Sequence, residues 1–106
     1  MVTRNTVKLI KTYVEAIKAN GISVSKVILY GSYARNEAKP TSDLDLMLIS
    51  PLFDVDDEKY MGILWSLTKL SDYRIEPLAI GEKRFNSGEY SPIIEIAKKE
   101  GIEIKI

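Results

Sequence analysis

The 106-residue chain has no cysteine and no histidine. Lack of cysteine excludes a disulfide framework, a thiol nucleophile and a thiolate metal site. Lack of histidine removes the commonest general base and the commonest transition-metal ligand. A metal site built by this chain alone therefore rests on oxygen ligands, which favours Mg2+, Mn2+ or Ca2+. Long apolar runs are missing as well. The longest, residues 27–30 and 46–49, span four positions each. They are too short for a membrane-spanning helix or a signal-peptide core, and the expected location is the cytoplasm. What is present is ordinary for a globular protein: 45% hydrophobic and 28% charged residues, enough apolar content to escape disorder. The length predicts one domain over residues 1–106.

Net charge is also absent, since 15 basic residues balance 15 acidic ones. The balance is uneven along the chain. Residues 1–39 carry seven basic and two acidic side chains, a sum of +5; residues 40–76 carry three and eight, a sum of −5. This split is either a solvated mixture or an acidic cation site beside a basic anion site.

Val7, Ile10, Val14 and Ile17 recur at helical spacing and predict an amphipathic helix over 6–19, stopped by Gly21. The β-branched run 24–30 predicts a first strand, ended by Gly31 and Ser32, with a short helix over 33–38 closed by Pro40. Residues 43–49 read as a second strand. Residues 56–71 read as a second long helix with Met61, Leu64, Trp65 and Leu67 inward and acids in its first turn. Residues 74–80 read as a third strand, in which Pro77 calls for an edge or a bulge. Ser91 and Pro92 open a last helix that turns Ile93, Ile94, Ile96 and Ala97 inward, and residues 102–106 alternate as an optional edge strand. The fold class is α/β (α+β): a small mixed sheet of three to four strands flanked by helices, in the order α-β-α-β-α-β-α.

Gly31 and Ser32 stand between a strand and a predicted helix. Free backbone N–H groups there suit an anion, and glycine admits it closely. The alternative is that Ser32 is a plain helix cap. Asp43 and Asp45 are two apart on a strand and share a face while Leu44, Leu46 and Leu48 take the other. Paired carboxylates repel unless a cation or a proton joins them; the alternative is a turn residue and a solvated one. Glu76 is the third acid, or else a surface partner of Arg74. A helical link favours a parallel crossover between the second and third strands, which brings all three acids to one end of the sheet. If the first two strands are antiparallel, Gly31 and Ser32 face them there.

Gly31-Ser32-Tyr33-Ala34-Arg35 and Ser42-Asp43-Leu44-Asp45-Leu46 resemble the signature of the DNA-polymerase-β-like nucleotidyltransferase superfamily, and most of all its minimal nucleotidyltransferases. The resemblance implies a nucleotidyltransferase fold. It implies that Asp43, Asp45 and Glu76 ligate two Mg2+ ions, with Mn2+ as a substitute. It also implies that Gly31 and Ser32 bind the β- and γ-phosphates of ATP or another nucleoside triphosphate, and that Glu76 takes the proton of the attacking hydroxyl. Arg35 adds charge to the phosphates or pairs with Glu37. Two positions depart from the family's common pattern: Asn36 replaces Gly after the arginine, and Glu76 replaces Asp.

The function so implied is transfer of a nucleoside monophosphate, AMP from ATP, to a hydroxyl. As a family, such chains pair with HEPN-domain toxins and, as antitoxins, AMPylate a toxin tyrosine. The alternative is a catalytically weak binding module that neutralises a partner by contact. Nucleic acid is disfavoured: the basic residues of 1–39 lie mostly on one helix without an aromatic stacking pattern. A membrane partner is not expected.

Overall fold

The computed structural model describes residues 2–39, 41–89 and 91–106. Helix α1 (Arg4–Ala19) begins at Thr3, whose hydroxyl accepts the N–H of Thr6, and buries Ile10, Tyr13, Val14 and Ile17. Its stop is the one expected, with Gly21 at φ 80° just beyond the cap residue Asn20. Strands β1 (Lys26–Tyr30) and β2 (Leu44–Ser50) follow. A 3-10 turn, Pro51–Asp54, begins where Ser50 accepts the N–H of Leu52 through its side chain. Helix α2 (Asp57–Ser71), capped by the Asp56 carboxylate, leads to β3 (Ile75–Gly81). Helix α3 (Glu82–Asn86), helix α4 (Pro92–Glu100) and strand β4 (Ile102–Ile104) complete the order.

The sheet runs β3-β2-β1-β4. β1 is antiparallel to β2 and to β4, and β2 is parallel to β3, so the sheet is mixed as the helical crossover requires. β3 is an edge strand, and Pro77 sits where an edge tolerates a missing N–H. Two positions on, the N–H of Ala79 donates to Met61 Sδ at 3.2 Å, so α2 covers that edge.

Strand alternation assigns each residue to a face. Val27, Leu29, Leu44, Leu46, Leu48 and Ile75 pack with the inner faces of α1 and α2. The Tyr13 hydroxyl ties the two helices by donating to the Leu64 carbonyl at 2.6 Å. Ile28, Met47, Ile49 and Ile80 lie on the opposite face, under Phe85 of α3 and Ile94 and Ala97 of α4. Tyr30 and Leu78, further along the same face, are only partly covered. No helix of the described residues is long and apolar enough to cross a membrane.

Several expectations change. The helix over 33–38 is a single turn, and Pro40 lies outside the described residues. The 3-10 turn and α3 were not foreseen in the sequence. Trp65 is 44% exposed; the buried residues of α2 are Leu64, Leu67 and Thr68, and Met61 packs partly buried against the core as expected. Ile93 and Ile96 also face out, because nine-residue α4 contacts the sheet through the narrow stripe of Ile94 and Ala97.

Candidate functional site

β1 ends at Tyr30 because the next residue, Gly31, takes φ 76° and turns the chain away. A Cβ there would strike the Asp45 carboxylate, so only glycine brings the backbone this close to an acid. The chain then makes one helical turn and stops. Arg35 N–H donates to the Gly31 carbonyl at 3.1 Å, Asn36 N–H to Tyr33 at 3.3 Å and Glu37 N–H to Ser32 at 2.9 Å. The last two bonds form a Schellman closure whose left-handed residue is Asn36, at φ 59°. Asn36 thus adopts the conformation that glycine would adopt more easily. The Ser32 hydroxyl makes no hydrogen bond among the described residues, so Ser32 does not act as a helix cap.

The register aligns the acids. Tyr30 pairs with Asp45 across β1 and β2, and Asp45 pairs with Glu76 across β2 and β3. Asp45 and Glu76 fall on the face of Met47, Ile49 and Ile80. They lie toward its uncovered half, with Tyr30 and Leu78. Asp43 immediately precedes β2 and is exposed. Glu76 is exposed on the edge strand, and Asp43 and Asp45 both act on its carboxyl.

The electrostatics follow from that crowding. The Glu76 carboxyl is pushed up to about 7, by desolvation first, then by hydrogen bonding and charge from Asp43, then by Asp45. Burial raises Asp45 as well, and the charge of Asp43 adds to it, while the Glu76 hydrogen bond and Arg35 pull it back. Burial and the two acids push the Tyr30 phenol up to about 12. Arg35 is near enough to act on Asp45, but its direct partners are Glu37, at 2.7 Å, and Glu100 of α4, at 3.7 Å. Arg74 grips Asp72 at 2.9 Å, and the charged groups that shift the Glu76 carboxyl are the two aspartates.

The structure therefore gathers Gly31, Asp43, Asp45 and Glu76 at one end of the sheet, with Ser32 and Arg35 in the turn beside them. It does not present the three acids as a formed metal cage: among the described residues no group of three or more His, Cys, Asp or Glu side chains is arranged to hold an ion. Crowding of the carboxyls adds to desolvation in raising Asp45 and Glu76. As a donor set they fit a hard divalent cation, because every ligand atom is an oxygen and their mutual repulsion is what such a cation relieves. Tyr30 belongs to this neighbourhood and was missed in the sequence. Its signal was its position, the last β residue before a glycine turn.

A nucleotidyltransferase-domain profile matches residues 10–104. Over 83 residues, 77% of this chain and 80% of the relative, the sequence is 31% identical to a "Putative protein adenylyltransferase" of Methanocaldococcus jannaschii. The fold is similar to the crystal structure of a "putative nucleotidyltransferase" from Sulfolobus solfataricus, with a TM-score of 0.63 at 16% identity, covering 92% of this chain and 77% of that one. With its glycine turn and its acids at one end of a mixed sheet, the chain belongs to the nucleotidyltransferase domain family, the polymerase-β-like group whose motif it carries.

Proposed function

We propose that the chain transfers AMP from ATP to a hydroxyl, that of a tyrosine of a HEPN-type toxin partner, and so acts as an antitoxin. One observation carries the reading: the register Tyr30–Asp45–Glu76 sets the acids beside the glycine turn. Gly31 and Ser32 bind the β- and γ-phosphates through backbone N–H groups and the unengaged Ser32 hydroxyl. Asp43, Asp45 and Glu76 hold Mg2+, which when bound supplies positive charge to the attacking and leaving oxygens. Glu76, whose carboxyl is pushed up to about 7, takes the proton of the attacking hydroxyl. The bond from that oxygen to the α-phosphorus forms, the bond from the α-phosphorus to the bridging oxygen breaks, and pyrophosphate leaves. The protein acceptor draws support from the name of the archaeal relative; the toxin partner and the antitoxin role draw theirs from the family resemblance of the motif.

The test is incubation with labelled ATP, Mg2+ and the protein encoded next to this chain. Label should pass to a tyrosine of that protein and fall by about a hundredfold or more in Asp45→Asn, with folding kept. An intact complex with no label transfer would establish the contact-only module instead.

A further inference from the structure

The two edges of the sheet are unlike. On β3, Pro77 offers no N–H and the Ala79 N–H is taken by Met61. On β4 there is no proline, and among the described residues no hydrogen bond reaches its backbone from outside the sheet. An open edge of this kind is a template for another strand.

The sequence of that edge says which strand. Residues 102–106 read Ile-Glu-Ile-Lys-Ile, a pattern that is its own complement when reversed. Two copies laid antiparallel with Ile104 opposite Ile104 pair Ile102 with Ile106 and Glu103 with Lys105, each twice. A one-residue slide sets the charges against isoleucines. A two-residue slide in either direction sets Glu103 against Glu103 or Lys105 against Lys105, and like charges directly opposite destabilise. One register is thus selected over its neighbours. Glu103 and Lys105 are exposed, and neither makes an ion pair or side-chain hydrogen bond among the described residues. Ile102 and Ile106 are 38% and 47% exposed. Beside them, between α1 and β4, lie two depressions: one of about 280 Å3 that Val2, Val7 and Lys11 share with β4, and one of about 230 Å3 lined by Lys11, Val14, Glu15, Lys18 and Ile106.

We propose that β4 is a homodimer edge, joining two copies about a two-fold axis at Ile104 into one continuous eight-stranded sheet. The interface is isologous, so each charge pair occurs twice and closes the assembly at two chains. The axis reverses the strand direction, so the acid ends of the two copies point opposite ways and both stay open.

Sedimentation equilibrium of the full chain, from micromolar to millimolar concentration, tests this. The expected mass at the upper end is twice the 12.0 kDa of one chain. Glu103→Lys and Lys105→Glu should each raise the dissociation constant by about tenfold or more, because both pairs turn repulsive. The double charge swap should restore it to within about threefold, because the pairing is regenerated in reverse. Thermal melting of each variant separates unfolding from dissociation, and amide exchange at residues 102–106 should slow as the concentration of the unaltered chain rises. A monomer at every concentration overturns the proposal. So does a dimer indifferent to the single changes, or one that the swap fails to rescue.

Discussion

Gly31 shows how one residue can serve backbone and chemistry together. It bends the chain through φ 76° and leaves room for the Asp45 carboxylate at once. Gly31→Ala violates both conditions, so it is expected to cost about 1–3 kcal/mol, read as a lowered chemical-denaturation midpoint, along with the transfer activity. The Glu76 carboxyl gives a second expectation, about pH. Its folded pKa of about 7 lies above its ordinary 4.5. Between those values the folded state binds more proton than the unfolded one, so stability falls as pH rises through that window. Melting in EDTA should show that decline, and Glu76→Gln should flatten it; a parallel decline in the variant would remove Glu76 as its source. The acid pair Asp43 and Asp45 and their glycine partner were legible in the sequence because a two-residue spacing on a strand fixes a shared face. Tyr30 was not, because its place opposite Asp45 depends on a register that only strand pairing sets.

The turn after β1 is the element on which sequence reasoning was least accurate. Residues 33–38 carry helix-compatible side chains, but a segment this short gains little from helix propensity. The Schellman bonds of Asn36 and Glu37 end it after one turn. Asn36→Gly should leave the melting temperature nearly unchanged, whereas Asn36→Ala should cost about 1 kcal/mol, since alanine resists the left-handed conformation that glycine and asparagine take. Equal stability of the two variants would show that the closure contributes nothing. The long elements were easier to read. Ile10, Val14 and Ile17 face the core as their spacing requires, and Pro77 falls on an edge strand. Trp65, Ile93 and Ile96 misled because apolarity alone does not fix orientation on a helix. Leu64 and Leu67 set the contact of α2, Ile94 and Ala97 that of α4, and their large neighbours turn outward.

At the scale of the whole molecule, α1 and α2 pack on one face of the sheet and the shorter α3 and α4 on the other, and the acids lie with Tyr30 and Leu78 where that second cover is partial. The mixed sheet was legible from the order of strands and helices. The extent of cover by α3 and α4 was not, because it depends on where the chain after β3 travels. The two edges add a consequence in redox chemistry. The hydrogen bond that seals β3 ends on a thioether, the Met61 Sδ. A peroxide converts that sulfur to a bulkier, polar sulfoxide. The edge that α2 shields would then be presented to other chains. Mild oxidation should therefore raise the rate of light-scattering aggregation, and Met61→Leu, which has no sulfur to oxidise, should lose that response while exchanging its Ala79 amide faster from the outset. The protein's colloidal shelf life would then be set by the oxidation state of Met61, a residue outside the proposed site.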